Sequence, residues 1–230
     1  MLNRLGDIMA TIRNAINNKS QDLTIDPGAS GDSVLQFSIN GTGEFRIGVD
    51  DDASDAFKIS QGSALGTTDT FVMTAAGERT MPLQPAVLAY LASSDASVTG
   101  NGTTFTVGST TALTEVYDQN NDFATTTFTA PIGGRYYIHL NVGMDDITAA
   151  MTDGYVEIIT SNRTYTGGYC SPGASKSAYN ICGFCLTTVA DMDASDTVTT
   201  TVTLSNGAGD SALILGAAMI FTYLNVSLTC

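Results

Sequence analysis

The stretch 123–142 contains the pattern that most restricts how this chain can fold. In its second half, apolar residues occupy every second position: Tyr136, Ile138, Leu140 and Val142. Successive side chains of a strand point to opposite faces of a sheet, so this spacing predicts a half-buried strand with these four residues in the core. Pro131 interrupts a strand ladder, and Gly133 and Gly134 tolerate positive φ. We therefore expect a Thr-rich strand, a tight turn and then the half-buried strand.

The composition extends the all-β prediction to most of the chain. Its 230 residues include 23 glycines and no tryptophan, and strand-forming residues recur throughout. Turn signals separate these short runs at intervals of roughly ten residues, a spacing typical of a sandwich or jelly roll. The sequence therefore predicts an all-β fold with a jelly-roll sandwich over residues 85–230.

The first twenty residues follow a helical period instead. Apolar residues there are spaced alternately three and four apart: Leu2, Leu5, Met9, Ile12 and Ile16. This is the spacing of a coiled coil, and isoleucine at both core positions favours three or more chains. Because a helix this short is marginal alone, we expect residues 1–20 to associate with other copies. There are two alternatives: a helix that docks on its own domain, and a helix that plugs into a larger assembly.

Residues 21–84 predict short strands separated by turns, with Asn40-Gly41 as a strong hairpin signal. The segment has few large apolar residues for its length, and small domains bury a low fraction of their surface. Winding three copies together would supply the missing core. We therefore expect an intertwined β-stranded stalk.

A resemblance in the central stretch supports this organisation. The spacing of four residues carries it: Phe128, Pro131, Gly134 and Tyr136. In this order they resemble the central motif of the C1q/tumour-necrosis-factor-like jelly roll. That resemblance implies a compact antiparallel sandwich that assembles as a homotrimer, with these four residues in its core motif.

The predicted stalk carries a second resemblance. Residues 45–60, followed by Gly77-Glu78 and by residues 81–83, resemble the repetitive stalk of tailed-phage fibre and spike proteins. In such proteins this segment sits directly before a C1q-like head. The resemblance therefore implies a virion protein whose N terminus attaches to other virion components.

Charge and hydropathy exclude several classes of partner. The chain has 9 Lys+Arg against 23 Asp+Glu, a net charge of −14. Binding to a phosphate backbone depends on clustered Lys and Arg, so no nucleic-acid partner is predicted. No apolar run approaches the roughly 20 residues that span a bilayer, so we predict no membrane insertion. The N terminus also lacks the pattern of a signal peptide.

The residues that could support catalysis do not form a recognisable set. His139 is the only histidine, and no Gly-x-Ser-x-Gly elbow accompanies it. It is expected to be a surface or interface residue, and the protein is predicted not to be an enzyme. Cys182 and Cys185 would point to opposite faces of a strand, which excludes a shared metal and favours buried free thiols.

Acidic residues provide weak candidates for a cation site. Three of them lie close together in sequence: Asp191, Asp193 and Asp196. Carboxylate oxygens are the ligands that Ca²⁺ prefers, and a solvated turn is the alternative interpretation. Apart from this calcium candidate, no cofactor is predicted.

Binding residues are expected in exposed loops, where Tyr supplies flat contact area and Arg or Asn supplies hydrogen bonds. Two segments combine these residue types, 162–169 and 117–122. The candidate receptor-binding residues are Asn162, Arg163, Tyr165, Tyr169, Tyr117 and Asn120.

The combined prediction is a non-enzymatic, homotrimeric phage fibre or spike protein, found in the virion after assembly in the host cytoplasm. Residues 1–20 would form the trimerising or anchoring helix, 21–84 the stalk and 85–230 the C1q-like head. The head would bind a glycan or protein on the host surface. The alternative is a capsid head-fibre or decoration protein without a host ligand. A polysaccharide hydrolase is disfavoured because the sequence indicates no pair of carboxylates in a cleft.

Overall fold

The structure is a computed structural model in which residues 25, 27, 31–217 and 220–229 are described. The five predicted coiled-coil residues lie outside that range: Leu2, Leu5, Met9, Ile12 and Ile16. The chain divides into two compact units, an N-terminal unit ending at Leu83 and a C-terminal unit beginning at Gln84. Among the described residues, no helix has the length and apolarity required to cross a membrane.

Regular structure in the described residues is almost entirely β-strand, which confirms the predicted all-β class. The N-terminal unit contains β1 (Ser33–Ile39), β2 (Thr42–Asp50), β3 (Ala56–Gln61), β4 (Asp69–Met73) and β5 (Arg79–Thr80). The C-terminal unit contains β6 (Ala86–Leu91), β7 (Asp95–Thr99), β8 (Thr104–Thr106), β9 (Leu113–Asp118), β10 (Phe123–Ala124), β11 (Thr127–Thr129), β12 (Gly134–Asp145), β13 (Asp153–Thr160), β14 (Thr164–Cys170), β15 (Cys182–Met192), β16 (Thr197–Ser205), β17 (Ala212–Ile214) and β18 (Tyr223–Thr229). The short helical pieces are a 3-10 turn at Asp51–Ala53 and a one-turn helix, α1 (Pro172–Ser175).

The N-terminal unit is a five-stranded antiparallel meander in the order β1-β2-β3-β4-β5. Asn40 and Gly41 connect β1 to β2 with φ values of 51° and 83°, as a two-residue hairpin turn of the I′ type requires. The hairpin prediction is therefore confirmed. In the described part of this unit, the buried hydrophobic residues are Ala56 and Leu65. So small a core agrees with the scarcity of large apolar residues in the sequence.

The C-terminal unit is a sandwich of two antiparallel sheets. One has six strands in the order β10-β11-β16-β13-β14, with β8 also paired to β16. The other has seven strands in the order β7-β17-β12-β18-β6-β9, with β15 also paired to β12. Strands distant in sequence are neighbours in both sheets, as in a jelly roll. The inner faces share one hydrophobic core, in which Ile158 and Val202 of the first sheet join Leu140 and Val226 of the second.

The stretch 123–142 links the two sheets. Phe128 on β11 belongs to the six-stranded sheet and Tyr136 on β12 to the seven-stranded sheet, so the turn at Pro131 carries the chain across the sandwich. The Phe128 and Tyr136 rings are buried with centroids 5.5 Å apart, and the Tyr136 hydroxyl donates to the Ile132 carbonyl at 2.8 Å. The predicted core face is confirmed, because all four of its residues are fully buried: Tyr136, Ile138, Leu140 and Val142.

Gly134 has a different role from the predicted one. Neither it nor Gly133 has positive φ. Gly134 instead begins β12, where a Cβ atom would lie 2.6 Å from Cδ1 of Leu228. The glycine therefore makes room for a neighbouring side chain and is not required by the turn.

One strand prediction is corrected in detail. The Thr-rich run is two short strands, β10 and β11, because the chain turns between them at Thr125 with a φ of 57°. The apolar segment 212–228 contributes two strands to the seven-stranded sheet. Its two strands, β17 and β18, both pair with β12, at positions 144–145 and 135–141 respectively.

Two glycines of the sandwich differ sharply in their surroundings. A Cβ atom on Gly154 of β13 would lie 2.7 Å from Cγ of Pro172, 2.8 Å from Cδ2 of Leu204 and 3.0 Å from Cζ of Phe184. On Gly183 of β15 the same atom would have no neighbour within 4 Å. Only the first glycine is required by packing.

Candidate functional site

The outer face of the seven-stranded sheet carries a cluster of aromatic side chains. Strands β15, β12, β18, β6 and β9 lie side by side, and their register places the following residues on that face: Thr187, Val189, Tyr137, His139, Tyr223, Asn225, Leu88, Tyr90 and Tyr117. We call Tyr90, Tyr117, Tyr137, His139 and Tyr223 the aromatic face. None of the five is buried in the described chain.

Hydrogen bonds fix much of the aromatic face. His139 Nδ1 lies 2.7 Å from the Thr187 hydroxyl, and His139 Nε2 lies 3.1 Å from the Tyr223 hydroxyl. The His139 and Tyr223 rings are 5.4 Å apart between centroids. Asn225 donates from Nδ2 to the Tyr117 hydroxyl at 3.2 Å. Rings with polar tips are enriched where proteins meet, because one end is apolar and the other can hydrogen-bond. This geometry suits a protein contact.

The outer face of the six-stranded sheet is rich in hydroxyls. Its threonines come from β8, β16 and β14, with β13 lying between the last two: Thr104, Thr106, Thr199, Thr201, Thr203, Thr164 and Thr166. We call these residues the hydroxyl face. Glu157 lies among them and accepts hydrogen bonds from Thr166 at 3.1 Å and Thr201 at 3.2 Å. Beside them the Tyr155 and Tyr169 rings lie 5.1 Å apart, and Tyr169 is 66% exposed.

The predicted binding loop at 162–169 is largely a strand. Thr164–Cys170 is β14, at the edge of the six-stranded sheet, and only Asn162 and Arg163 remain in an exposed turn. Tyr165 packs against the core, whereas Tyr169 points to solvent. The prediction was therefore wrong about the loop and about the exposure of Tyr165.

The glycines of this segment explain the error. Glycine is typical of loops, but both glycines lie within β14. A Cβ atom on Gly167 would lie 2.6 Å from Cδ1 of Leu186, and Gly168 has a φ of 67° at an irregularity in the pairing with β13. Glycine here permits close packing and a bulge within a strand.

The other two candidate binding residues are separated. Tyr117 lies on β9 within the aromatic face, and Asn120 lies in the following turn. The Asp118 carboxylate shapes that turn by accepting hydrogen bonds from the backbone N–H groups of Asp122 at 3.0 Å and Phe123 at 2.9 Å. Burial, reinforced by the charge of Asp118, raises the pKa of Asp122. One oxygen of the Asp122 carboxylate is buried without a hydrogen-bond partner.

The three candidate calcium ligands form part of an ordered turn. Asp191 lies on β15, and Asp193 and Asp196 lie between β15 and β16. The Asp196 carboxylate accepts hydrogen bonds from the Asp193 backbone N–H at 2.8 Å and from Asn162 at 2.6 Å. Within the described residues, no three His, Cys, Asp or Glu side chains are grouped as metal ligands. Calcium binding stays a prediction.

The cysteines of β15 lie on opposite faces of the strand, as predicted, but the prediction that both thiols are buried was wrong for Cys185. Cys182 is buried and Cys185 is exposed, on opposite faces of the strand. Burial, together with the nearby Cys170 thiol, raises the pKa of Cys182 to about 11. The Cys185 sulfur is 4.0 Å from His139 Nδ1, which already contacts Thr187 at a shorter distance.

A buried ion cluster in the N-terminal unit was missed by sequence reasoning. Lys58 Nζ lies 2.8 Å from Asp50 and 3.0 Å from Asp69, and the exposed fractions of the three side chains are 10%, 8% and 12%. Ser60 and the Gly66 backbone N–H also donate to Asp69. The hydrogen bond from Lys58 to Asp50 raises the pKa of Lys58 against the effect of burial. For Asp69, burial is outweighed by the hydrogen bonds from Ser60 and Lys58, so its pKa is lowered.

Comparisons with known proteins return structural similarity only. No family model and no curated protein matches the chain. The globular domain of zebrafish complement 1qA is 14% identical, with 64% of this chain and 98% of that chain covered and a TM-score of 0.43. Murine APRIL at pH 8.0 is also 14% identical, with 64% and 99% covered and a TM-score of 0.42. The jelly-roll fold is seen in the strand order and register of the sandwich itself.

Proposed function

We propose that this protein is a non-enzymatic, homotrimeric fibre or spike subunit of a phage particle whose C-terminal unit binds a molecule on the host surface. The observation that carries the proposal is the aromatic face. Partly exposed tyrosines around a hydrogen-bonded histidine form a surface suited to contact with other copies of the sandwich. The assignment to a virion is supported by the stalk-like sequence of residues 45–60 ahead of a jelly roll.

The surface proposed for the host ligand is the accessible part of the hydroxyl face with its tyrosine pair; Thr201 and Thr203 are buried and do not belong to it. Tyr169 is largely exposed and stacks beside Tyr155, next to threonine hydroxyls and the Glu157 carboxylate. A flat aromatic surface beside hydrogen-bonding groups suits a glycan or a polar protein loop. Asn162 and Arg163 extend this surface at the β13–β14 turn. Three copies in one particle component raise a weak single-site affinity by avidity.

A structural head-fibre or decoration protein without a host ligand is the second candidate. It is favoured by the hydrogen bonds within the hydroxyl face, such as the 2.9 Å contact between Thr104 and Thr203. Hydroxyls that already bond to one another offer less to a ligand. In this alternative the trimer is retained and only the receptor is absent.

The first experiment measures the mass of the full chain in solution by sedimentation or light scattering. We expect three times the chain mass, and a monomer would overturn the proposal.

The second experiment measures binding of the trimer to host cells. We expect Tyr169→Ala to weaken binding at least about tenfold, as for a central interface tyrosine. Tyr179→Ala is the matched control, because Tyr179 is 82% exposed and lies outside the hydroxyl face.

Each result separates the two candidates. Binding that is lost in the Tyr169 variant and kept in the Tyr179 variant supports receptor recognition by this surface. A trimer that binds no host cell, but that immunogold microscopy locates on the capsid, supports the decoration protein. Release of reducing sugar from host polysaccharide would contradict the non-enzymatic assignment.

A further inference from the structure

The N-terminal unit presents an apolar sheet face to solvent. The cross-strand register of β1 to β4 places nine apolar side chains on one side of the sheet, with the polar Ser33 and Gln61 at its ends: Leu35, Phe37, Phe45, Ile47, Val49, Phe57, Ile59, Phe71 and Met73. We call them the apolar stalk face. All nine are exposed or half-exposed, with Phe37 at 48% and Phe45 at 47%. The Phe57 and Phe71 rings lie 6.4 Å apart in an edge-to-face arrangement, so the face is continuous across β3 and β4.

The opposite side of the same sheet is buried at β3, although Gln36 of β1 is exposed on it. It holds the Lys58 ion cluster together with Ala56 and Ser60, and all three of these residues are buried. The loop between β3 and β4 covers this side, because Gly66 approaches the Asp50 carboxylate and its backbone N–H donates to Asp69. The alternation of β3 is therefore inverted relative to an ordinary half-buried strand, whose apolar side faces the interior. The sheet is built to have its apolar side covered by something else.

Such a face is atypical of an isolated chain, since monomeric proteins rarely expose large contiguous apolar patches. The distribution of charge on and around the apolar stalk face indicates what kind of partner can cover that face. The register places one charged side chain beside the nine, Arg79 opposite Met73 at the edge of the sheet. Each chain carries a net charge of −14, so copies repel one another over most of their surface. The apolar stalk face is an uncharged surface by which they can approach.

The width of the face also favours other copies over the chain's own N-terminal segment. Four strands about 4.8 Å apart make a surface roughly 15–20 Å wide. An α-helix with its side chains is about 10 Å across, and a coiled-coil seam is narrower still, so one helix would cover about half of it. Two further sheets arranged about a three-fold axis would instead bring the same face of every copy into one closed apolar interior.

We infer that the apolar stalk face is a contact between copies of this chain, covered in the trimer by the same face of the two other subunits. This inference rests on the proposed homotrimer and adds the surface by which the N-terminal unit takes part in it. The three ion clusters then lie on the outside of the assembled segment, each beneath its own Gly66 loop.

Photo-crosslinking of the full chain tests the surface directly. A benzophenone amino acid replaces Phe45, and labelled and unlabelled chains are mixed before assembly so that links between chains are identified by mass. We expect Phe45 to link to residues 33–73 of another chain. Gln36 is the control, because it is exposed on the neighbouring strand but lies on the other side of the sheet. Two results would overturn the inference. One is that position 45 links only to residues 1–24 of its own chain. The other is that position 45 gives no more links between chains than position 36 does.

A charge substitution gives an independent test. Phe45→Asp places a carboxylate from each subunit in the proposed interior, so we expect the trimer dissociation constant to rise at least about 100-fold. Gln36→Asp adds the same charge beside Arg46 and should leave the trimer intact. If the wild-type chain is a monomer, both this inference and the proposed function fail. If it is a trimer that tolerates Phe45→Asp as well as Gln36→Asp, only this inference fails.

Discussion

Replacing Lys58 by methionine should destabilise the N-terminal unit strongly. Lys58 is the shared counter-charge of Asp50 and Asp69 at 2.8 and 3.0 Å, and all three side chains are about nine-tenths buried. Methionine fills a similar volume but leaves two adjacent carboxylates without a counter-charge. Removing one partner from a buried ion cluster costs about 3–5 kcal/mol, because the remaining charge stays desolvated. We expect a loss of that size at pH 7.

Hydrogen exchange measured by mass spectrometry is the appropriate assay, since it reports the opening free energy of each segment of the intact chain. A loss of 3–5 kcal/mol corresponds to an increase of about 160- to 4,700-fold in the exchange rate of protected amides. We expect that increase over β3, which carries Lys58. The amides of β12 in the C-terminal unit are the internal control and should keep their protection.

A compensating variant shows whether charge is the cause. The triple variant Asp50→Asn, Lys58→Met, Asp69→Asn has no charge left in the cluster. It should recover most of the protection from hydrogen exchange that Lys58→Met alone loses. The pKa of Asp69 is lowered by its partners, so the advantage of the wild type over Lys58→Met should also shrink as the pH falls through that folded pKa. Exchange in β3 within threefold of the wild type at pH 7 would refute the reasoning.

Three further predictions concern the C-terminal unit. Gly154→Ala should lower stability by about 1–3 kcal/mol through overpacking, whereas Gly183→Ala should be nearly neutral, both measured by thermal unfolding. The pKa of Cys182 is about 11, so little of its thiol is ionised at pH 8. Iodoacetamide at pH 8 should therefore alkylate Cys182 at least about 100-fold more slowly than the exposed Cys185. Equal alkylation rates would contradict the burial of Cys182. The raised pKa of Asp122 opposes folding when its carboxylate is ionised, so Asp122→Asn should raise the melting temperature at pH 7, with the gain disappearing as the pH falls below the pKa of an ordinary carboxyl.

The strand content and the core of the sandwich were accessible from the sequence because they depend on local periodicity. The alternation from Tyr136 to Val142 identified a buried face, and the Asn40-Gly41 dipeptide identified a turn. Both signals act within a few residues. The pairing of β11 and β12 with different sheets depends on contacts far apart in sequence, which no local pattern encodes.

The candidate sites were harder to predict because glycine and lysine have more than one structural use. Gly167 and Gly168 indicated a loop, yet they allow β14 to pack closely and to bulge. Lys58 alternates with Phe57 and Ile59, a pattern that normally places the lysine in solvent and the aromatic residue in the core. The inversion depends on Asp50, eight residues away, and on a covering loop. In the sequence, the ion cluster was indicated only by the spacing of Asp50, Lys58 and Asp69. That spacing is not specific for a buried ion cluster.

The position of β18 has a consequence for biosynthesis. This strand lies between β12 and β6, where Val226 stands beside both Ile138 and Val87. While residues 84–222 emerge from the ribosome, both neighbours still lack their central partner and part of the core stays open. The sandwich can therefore close only after residues 223–229 are made, and it must join strands more than 130 positions apart, a topology that folds slowly. The N-terminal meander pairs only consecutive strands, so its strands can pair earlier during translation.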